Sequence, residues 1–360
     1  GPAKVAVVSS ALCGMVSGSS VGNTVTTGSV TIPMMKKTGY PPEFAGAVEA
    51  ASSTGGQIMP PIMGAAAFIM AEMTGYEYSD IIVRAILPAF LYFLGIFLGV
   101  HFKAKKLGLV GLKREELPKW KLLLPKIYLL LPLIILTWMV IAGQTMAKSA
   151  IYGTIVAIVV GIINKDDRMT PTKFVNGLEN GGKNCLSIGI ACGIAGIISV
   201  CITMTGLGGK LITYVVKLSN GHLFIALFLT MICCIILGMG VPTTANYIIM
   251  ASTCAPILIN GMGMHILAAN MFVFYFGIVA DITPPVALAA YAGAAIAKAP
   301  PMKTALNATR LAIAAFIIPY IFAYNNAMIF VGDVTFFGVA SIVISATLGM
   351  ASIASGFMGY

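Results

Sequence analysis

Long apolar stretches interrupted at four places by short polar runs set the pattern of this chain. Residues 3–36 form two apolar halves around "SGSSVGN", and residues 43–72 are interrupted by "STGGQIMPP". Later, 223–258 are split by "LGMGVPTTAN" and 265–297 by "ADITPP". Uninterrupted apolar runs at 81–101, 127–143, 148–163, 184–205, 304–324 and 334–358 have the length of membrane-crossing helices. The ten-residue alternation of an outer-membrane barrel is absent from the sequence, so the predicted spans are helices.

Composition agrees with that pattern. Of 360 residues, 58% are apolar and 9% charged, against roughly 25% charged in soluble domains. A net charge of +10 raises the question of nucleic acid. The basic residues, however, sit in short loops beside apolar runs, where the positive-inside rule places them, so no nucleic-acid partner is expected. The partner they imply is the lipid bilayer. All seven cysteines (13, 185, 192, 201, 233, 234 and 254) fall in apolar segments without metal spacing, and read as buried small hydrophobes. The opening "GPAKVAVVSS" starts inside an apolar element, which predicts a fragment of a longer polypeptide.

Charge also orients the segments. The run "KAKKLGLVGLKREELPKWKLLLPK" (103–126) is strongly basic and anchors the cytoplasmic side. From it, 127–143 cross outward and 148–163 return to "NKDDRMTPTKF" (164–174). An amphipathic stretch to about Lys183 then leads into 184–205, crossing outward. Upstream, 81–101 run inward from an acidic outer approach, "EMTGYEYSD" (72–80), and 43–72 run from inside to outside. Segment 3–36 carries Lys4 at one end and Lys36 and Lys37 at the other, so both ends are cytoplasmic and it is a re-entrant hairpin. In the second half the hairpin 223–258 begins outside and the interrupted helix 265–297 emerges inside at Lys298 and Lys303. Residues 304–324 cross outward and 334–358 return.

The two halves therefore repeat one unit with opposite orientation. Gly22 to Pro60 is 38 residues and Pro242 to Pro284 is 42. The predicted fold is an all-α membrane protein, an inverted-repeat elevator-type transporter with two re-entrant hairpins and two broken helices. Its blocks are residues 1–101 (first repeat), 102–222 (scaffold spans and loops), 223–324 (second repeat) and 325–360 (C-terminal span). Inverted repeats with broken helices are a signature of secondary transporters, and the breaks mark the binding site.

Broken helices at membrane depth must be buried in protein or line a wet cavity. Free carbonyls with Ser, Thr or Asn oxygens suit a hard cation such as Na⁺, and helix N-terminal amides suit a carboxylate. The first tip offers Ser17, Ser19, Ser20, Asn23, Thr24, Thr26 and Thr27, and the second Thr243, Thr244 and Asn246, with Gly238 and Gly240 for close approach. The broken helices add Ser53, Thr54, Gly55, Gly56 and Gln57, then Asp281 and Thr283. Asp281 is the acid in the apolar interior of the second repeat, a costly placement that marks a cation ligand or charge compensator. Capping of the half-helix near Pro284 is the plainer alternative. Gln57 holds the equivalent place in the first repeat. Arg84 and Arg310 sit at matching positions near span ends and read as snorkelling residues. His101, His222 and His265 flank apolar segments and read as interfacial.

The pentapeptide "GSSVG" (18–22) matches the nucleophile elbow G-x-S-x-G but lies at a hairpin tip far from any histidine in sequence. No metalloprotease or P-loop motif is present, so neither an enzyme nor an ATP-driven pump is indicated.

The strings "SGSSVGNTVTTGSVTIPMMKKTGYPPEFAGAVEAASSTGGQIMPP" (17–61), "LGMGVPTTANYIIMA" and "ADITPPVALAAYAGAAIAKA" closely resemble the fused permeases of the TRAP transporters, in particular the TAXI type. In that type the small and large membrane subunits are joined in one chain. The likeness covers essentially all 360 residues, and implies that small-subunit-like N-terminal helices and the first helices of the large subunit are missing. It implies Na⁺-driven import of a carboxylate from a periplasmic (extracytoplasmic) substrate-binding protein across a bacterial or archaeal cytoplasmic membrane. It also implies an elevator, with hairpins and broken helices moving against the other spans. Carried onto this chain, one Na⁺ site would use Ser19, Asn23 and Gly55, and the other Gly238, Thr243 and Asp281. Substrate would lie near Ser20, Thr24, Gln57 and Thr244. The inverted repeat alone also fits a Na⁺- or H⁺-coupled dicarboxylate or citrate elevator carrier that needs no binding protein. A scaffold subunit would not need polar breaks in all four elements, and a channel would need a continuous pore.

Overall fold

A computed structural model of the chain describes residues 1–109, 111, 124–164, 168–332 and 334–359. The described residues are helical throughout, with no strand among them. The chain packs as two units, residues 1–111 with 191–360, and residues 112–190. Parts of the two predicted cytoplasmic loops, at 110, 112–123 and 165–167, lie outside the described residues.

In the smaller unit a 3₁₀ turn over Leu124–Leu130 leads into a helix at Leu131–Ile141, numbered α6 in chain order, which packs on α7 (Met146–Ile163) across a tight turn at Gly143.

The larger unit begins with the first hairpin, α1 (Pro2–Ser17) and α2 (Ser20–Lys37), followed by α3 (Pro42–Gly56), α4 (Ala65–Thr74) and α5 (Tyr78–Lys106). Helix α8 (Pro171–Met204) begins in the smaller unit and enters the larger at residue 191, where α9 (Leu207–Ser219) follows. The second hairpin is α10 (Leu223–Gly238) and α11 (Thr243–Thr253), closed by a π turn at Ile257–Gly261. The second broken helix is α12 (Ile266–Val279), a 3₁₀ turn at Ala280–Ile282, and α13 (Leu288–Ala297). Then come α14 (Pro301–Leu311), α15 (Ile313–Tyr324) and α16 (Phe336–Met358). Among the described helices, Tyr78–Lys106, Leu124–Ile141, Pro301–Tyr324 and Phe336–Met358 are long and apolar enough to cross a bilayer. The hairpin arms and broken halves Pro2–Ser17, Ala65–Thr74, Leu223–Gly238, Ile266–Ile282 and Leu288–Ala297 are apolar but short. They need protein around their ends, because a helix end at membrane depth leaves four amides or four carbonyls without an intrahelical partner.

That protein comes from both repeats. Every residue of α3 from Phe44 to Gly56 is buried, and so is every residue of α12 from Leu267 to Val279. Helix α3 packs on its own hairpin α1–α2 and also on α13 of the second repeat. Reciprocally, α4 of the first repeat packs on α11 and α12. Small residues allow the approach, as is usual between membrane helices. A Cβ on Gly46 would fall 2.9 Å from the Gly293 carbonyl oxygen, and one on Gly293 would fall 2.6 Å from that of Gly46.

Polar contacts at the helix ends sort the elements onto two faces. Lys4 Nζ donates to His101 Nδ1 at 3.1 Å, and Lys36 Nζ to the Ala297 carbonyl at 2.7 Å. At the other face Tyr76 Oη bonds His265 Nε2 at 3.2 Å. Each pair joins ends that the charge pattern assigns to one side of the membrane.

Several predicted boundaries shift. The first break starts at Gln57, four residues later than "STGG" suggested, because Ser53–Gly56 complete the last turn of the buried α3. The run 304–324 is two helices meeting at Ala312, and the amphipathic and apolar parts of 171–204 are one helix. The stretch 207–219, given no element by the sequence pattern, is helix α9. The cysteines also need correction: Cys234 and Cys254 are buried, whereas Cys13, Cys185 and Cys201 are exposed and Cys192 and Cys233 half-buried. In a membrane an apolar outer helix face is satisfied by lipid, so a thiol in an apolar run need not point inward.

Candidate functional site

The first tip is a tight turn at Gly18, which is left-handed (φ 64°), followed by Ser19 in extended conformation. The Ser19 hydroxyl is exposed and accepts the Gly22 amide at 3.1 Å, capping α2. Ser20 opens α2 and is buried. Asn23, one turn on, donates from Nδ2 to the Ser10 carbonyl at 3.0 Å and to Ser53 Oγ at 2.9 Å. One amide thereby ties both hairpin arms to α3.

The second tip repeats the device. Asn246 stands four residues after the N-cap Pro242, as Asn23 stands four after the N-cap Ser19. Its Nδ2 donates to the Gly277 carbonyl of α12 at 3.0 Å. Gly238 is buried where a Cβ would meet Asn246 Nδ2 at 2.8 Å and Ala280 Cβ at 2.9 Å. Thr243 and Thr244 open α11 and are half-buried.

The partners of the two asparagines align the breaks. Gln57 lies four residues after Ser53, and Asp281 four after Gly277. Each is followed three residues later by a cis Pro-Pro bond, Pro60–Pro61 and Pro284–Pro285. Some carbonyls freed by the breaks are already bonded. Tyr78 Oη donates to Pro61 O at 2.9 Å and Ile62 O at 2.5 Å, Tyr291 Oη to Pro285 O at 2.5 Å, and Thr309 Oγ1 to Ile282 O at 2.9 Å. Gly55 has no room for a side chain, since the Tyr92 ring occupies the position of a Cβ. Its carbonyl accepts the Ile58 amide at 3.1 Å and also faces the Gln57 backbone amide.

The two repeats meet at Asp281. Ser20 Oγ, from the first tip, donates to Asp281 Oδ2 at 2.5 Å. The Gln57 amide faces the same carboxylate, yet both its polar atoms lack a hydrogen-bond partner of ordinary geometry. Thr24 Oγ1, Thr54 Oγ1 and Asn246 Oδ1 are likewise buried and unpartnered. Each such atom costs roughly 1–3 kcal/mol. Arg84 Nε, Thr230 Oγ1, Tyr275 Oη and Asn326 Oδ1 are buried and unpartnered elsewhere, but five such atoms cluster at the tips and breaks, and there the set of hydroxyls, amides, carbonyls and one carboxylate has the chemistry to hold an alkali cation and a small anion.

Of the residues assigned from the sequence, Ser20, Gln57 and Asp281 come together. Asn23 belongs to the tip–α3 clamp, and Gly238 to the equivalent clamp in the second repeat. Ser19 is a surface-exposed cap. Arg84 bonds Asp80 at 3.3 Å and lies 5.3 Å from the centre of the Tyr76 ring. Arg310 lines a surface pocket with Glu43 and Lys303.

Asn246 was visible in the sequence as a tip oxygen but was not assigned to the site. Glu49 was not singled out at all. It is fully buried in α3, and its Oε1 accepts the hydroxyls of Ser10, Thr27 and, at 3.2 Å, Ser53, while Oε2 accepts Thr31. The rule that selects Asp281, an acid inside an apolar bundle, selects Glu49 equally when applied to α3.

Two hairpins, two broken helices and a polar site between them define a membrane permease of the secondary-transporter class. The chain belongs to the family described as "Tripartite ATP-independent periplasmic transporter, DctM component", which matches residues 1–336. It is thus a TRAP-type permease, a multi-pass membrane protein and not an enzyme. The family generally works with a periplasmic binding protein and a small subunit. A curated relative, the uncharacterized protein y4mL of Sinorhizobium fredii, is 38% identical over 91 residues, 25% of this chain and 21% of that protein. The match spans about a fifth of that relative's length.

Proposed function

We propose that the chain imports an organic acid across a bacterial or archaeal cytoplasmic membrane together with Na⁺, receiving it from an extracytoplasmic binding protein. The observation that carries this reading is the Ser20–Asp281 bond, which puts the N-terminus of α2, a buried carboxylate and the unpartnered Gln57 amide at one place. The amides opening α2 and α11 offer partial positive charge to a substrate carboxylate, with Thr24, Gln57 and Thr244 beside them. Asp281, Thr243 and the Gly238 carbonyl supply oxygens for one Na⁺, and Ser19, Asn23 and the Gly55 carbonyl for another. Each Na⁺ moved inward is worth about 2.3 kcal/mol per 100 mV of membrane potential, enough to concentrate an anion against that potential.

Uptake of a carboxylate panel by the full-length protein in liposomes tests the reading, with and without a Na⁺ gradient and the binding protein. Uptake requiring both supports it. Uptake with Na⁺ alone favours a carrier independent of a binding protein, and no uptake of any carboxylate contradicts the transport of organic acids.

A further inference from the structure

Glu49 is used by none of the roles assigned above, though it borders the first tip, and it sits in a cage of four hydroxyls contributed by α1, α2 and α3. A buried carboxylate is costly unless a cation or several donors compensate it. No cationic side chain acts on this one among the described residues. On the helices packed against α3, Lys36 is bonded away to Ala297 O, and Tyr92 and Tyr291 donate to the carbonyls of Ala51 and Pro285. Lys303 and Arg310 line a surface pocket with Glu43, Asp281 accepts Ser20, and the Cys13 thiol on α1 is a titratable neighbour of Glu49.

The cage can satisfy the carboxyl in either protonation state. With the carboxylate, all four hydroxyls donate to it. Thr27 Oγ1 also lies 2.7 Å from the Asn23 carbonyl, and Thr31 Oγ1 lies 3.1 Å from that of Thr27. Those two hydroxyl protons can turn to the backbone, one turn back in α2, and leave an oxygen lone pair to accept the proton of a neutral carboxyl. The cage is also wired to the first tip, because Ser53 donates to Glu49 and accepts from Asn23.

We propose that Glu49 is a proton-binding site linked to the first hairpin tip, where a proton on its carboxyl and a cation beside Asn23 oppose one another. Proton transfer to Oε2 or Oε1 from water converts carboxylate to carboxylic acid, with hydroxide or buffer base taking the balance of charge. The cation half of this linkage rests on the transport reading above.

Infrared difference spectra of the full-length protein in nanodiscs, taken across pH with and without Na⁺, test the proposal. The wild type should show a protonated-carboxyl C=O band that fades as pH rises, and Na⁺ should lower its midpoint by on the order of one pH unit. Glu49→Gln should lack the band. If that variant does not fold, ¹³C-labelled glutamate in the wild type should shift the band. An unchanged band in Glu49→Gln, an unshifted band in labelled protein, or a midpoint indifferent to Na⁺ would overturn the inference. Liposome uptake separates the two readings: Na⁺-driven uptake without the band sinks the proton site alone, whereas the band without any uptake sinks the transport reading alone.

Discussion

Ser20 and Asp281 are 261 residues apart in the chain, and the hydroxyl of one is bonded to the carboxylate of the other at 2.5 Å. Lys36 and Ala297, at the far end of the same two segments, are bonded across the same separation of 261. Helix α2 therefore lies alongside residues 281–297 in register, running the same way. The first hairpin and the second broken helix form one packed piece, and the site between them is shared by both repeats.

The Ser20 bond gives the first prediction. A hydrogen bond to a charged group contributes about 1.5–3 kcal/mol, and Ser20→Ala leaves Asp281 short of a donor. Half-maximal uptake should then need roughly tenfold more substrate or more, at unchanged protein level in the membrane. An unaltered concentration dependence would remove Ser20 from the site.

The two asparagine clamps should behave alike. Asn23→Ala strips Ser10 O and Ser53 Oγ of a donor, and Asn246→Ala does so to Gly277 O. Each variant should lose about 1–3 kcal/mol of stability, seen as a lower midpoint in thermal unfolding of detergent-solubilised protein. A loss confined to one variant would argue against equivalent roles for the two tips.

Much of this was legible in the sequence because breaks in apolar runs announce themselves. Asp281 sits beside a Pro-Pro pair, and the glycines and hydroxyls of "SGSSVGN" stand out against their apolar flanks. Glu49 does not: in "FAGAVEAASS" it reads as one acid in an ordinary helix, and its partners Ser10, Thr27, Thr31 and Ser53 are scattered over three segments. The split at Ala312 was hidden for another reason, since no proline or glycine marks it. Which oxygens meet across repeats, as Ser20 and Asp281 do, depends on the register of α2 against the 281–297 segment. Small residues such as Gly28, where a Cβ would lie 3.5 Å from Ile296 Cδ1, let α2 approach that segment.

Close glycine contact makes a sharper test of packing. A Cβ on Gly56 would fall 2.5 Å from Gly14 Cα, so Gly56→Ala must push α1 away from the end of α3. Uptake should fall severely and the unfolding midpoint with it. Gly349→Ala, with nothing within 4 Å of the added Cβ, is the matched control and should leave both unchanged.

Sidedness follows from the Lys36–Ala297 contact. Single cysteines at Lys36 and Lys298 in an otherwise cysteine-free protein should react with a membrane-impermeant maleimide from the same side, and by the charge pattern from the cytoplasm. Labelling from opposite sides would undo both the packing of α2 on α13 and the inverted topology.

The most direct test of the central claim, that the paired breaks form a cation-coupled site around Asp281, is the Na⁺ dependence of uptake in Asp281→Asn. The substitution keeps the size of the side chain and an oxygen facing Ser20 but removes the charge. The concentration of Na⁺ giving half-maximal uptake should rise about tenfold or more, the effect of losing on the order of 1.4 kcal/mol of cation binding. An unchanged Na⁺ dependence in a folded, active variant would contradict the account.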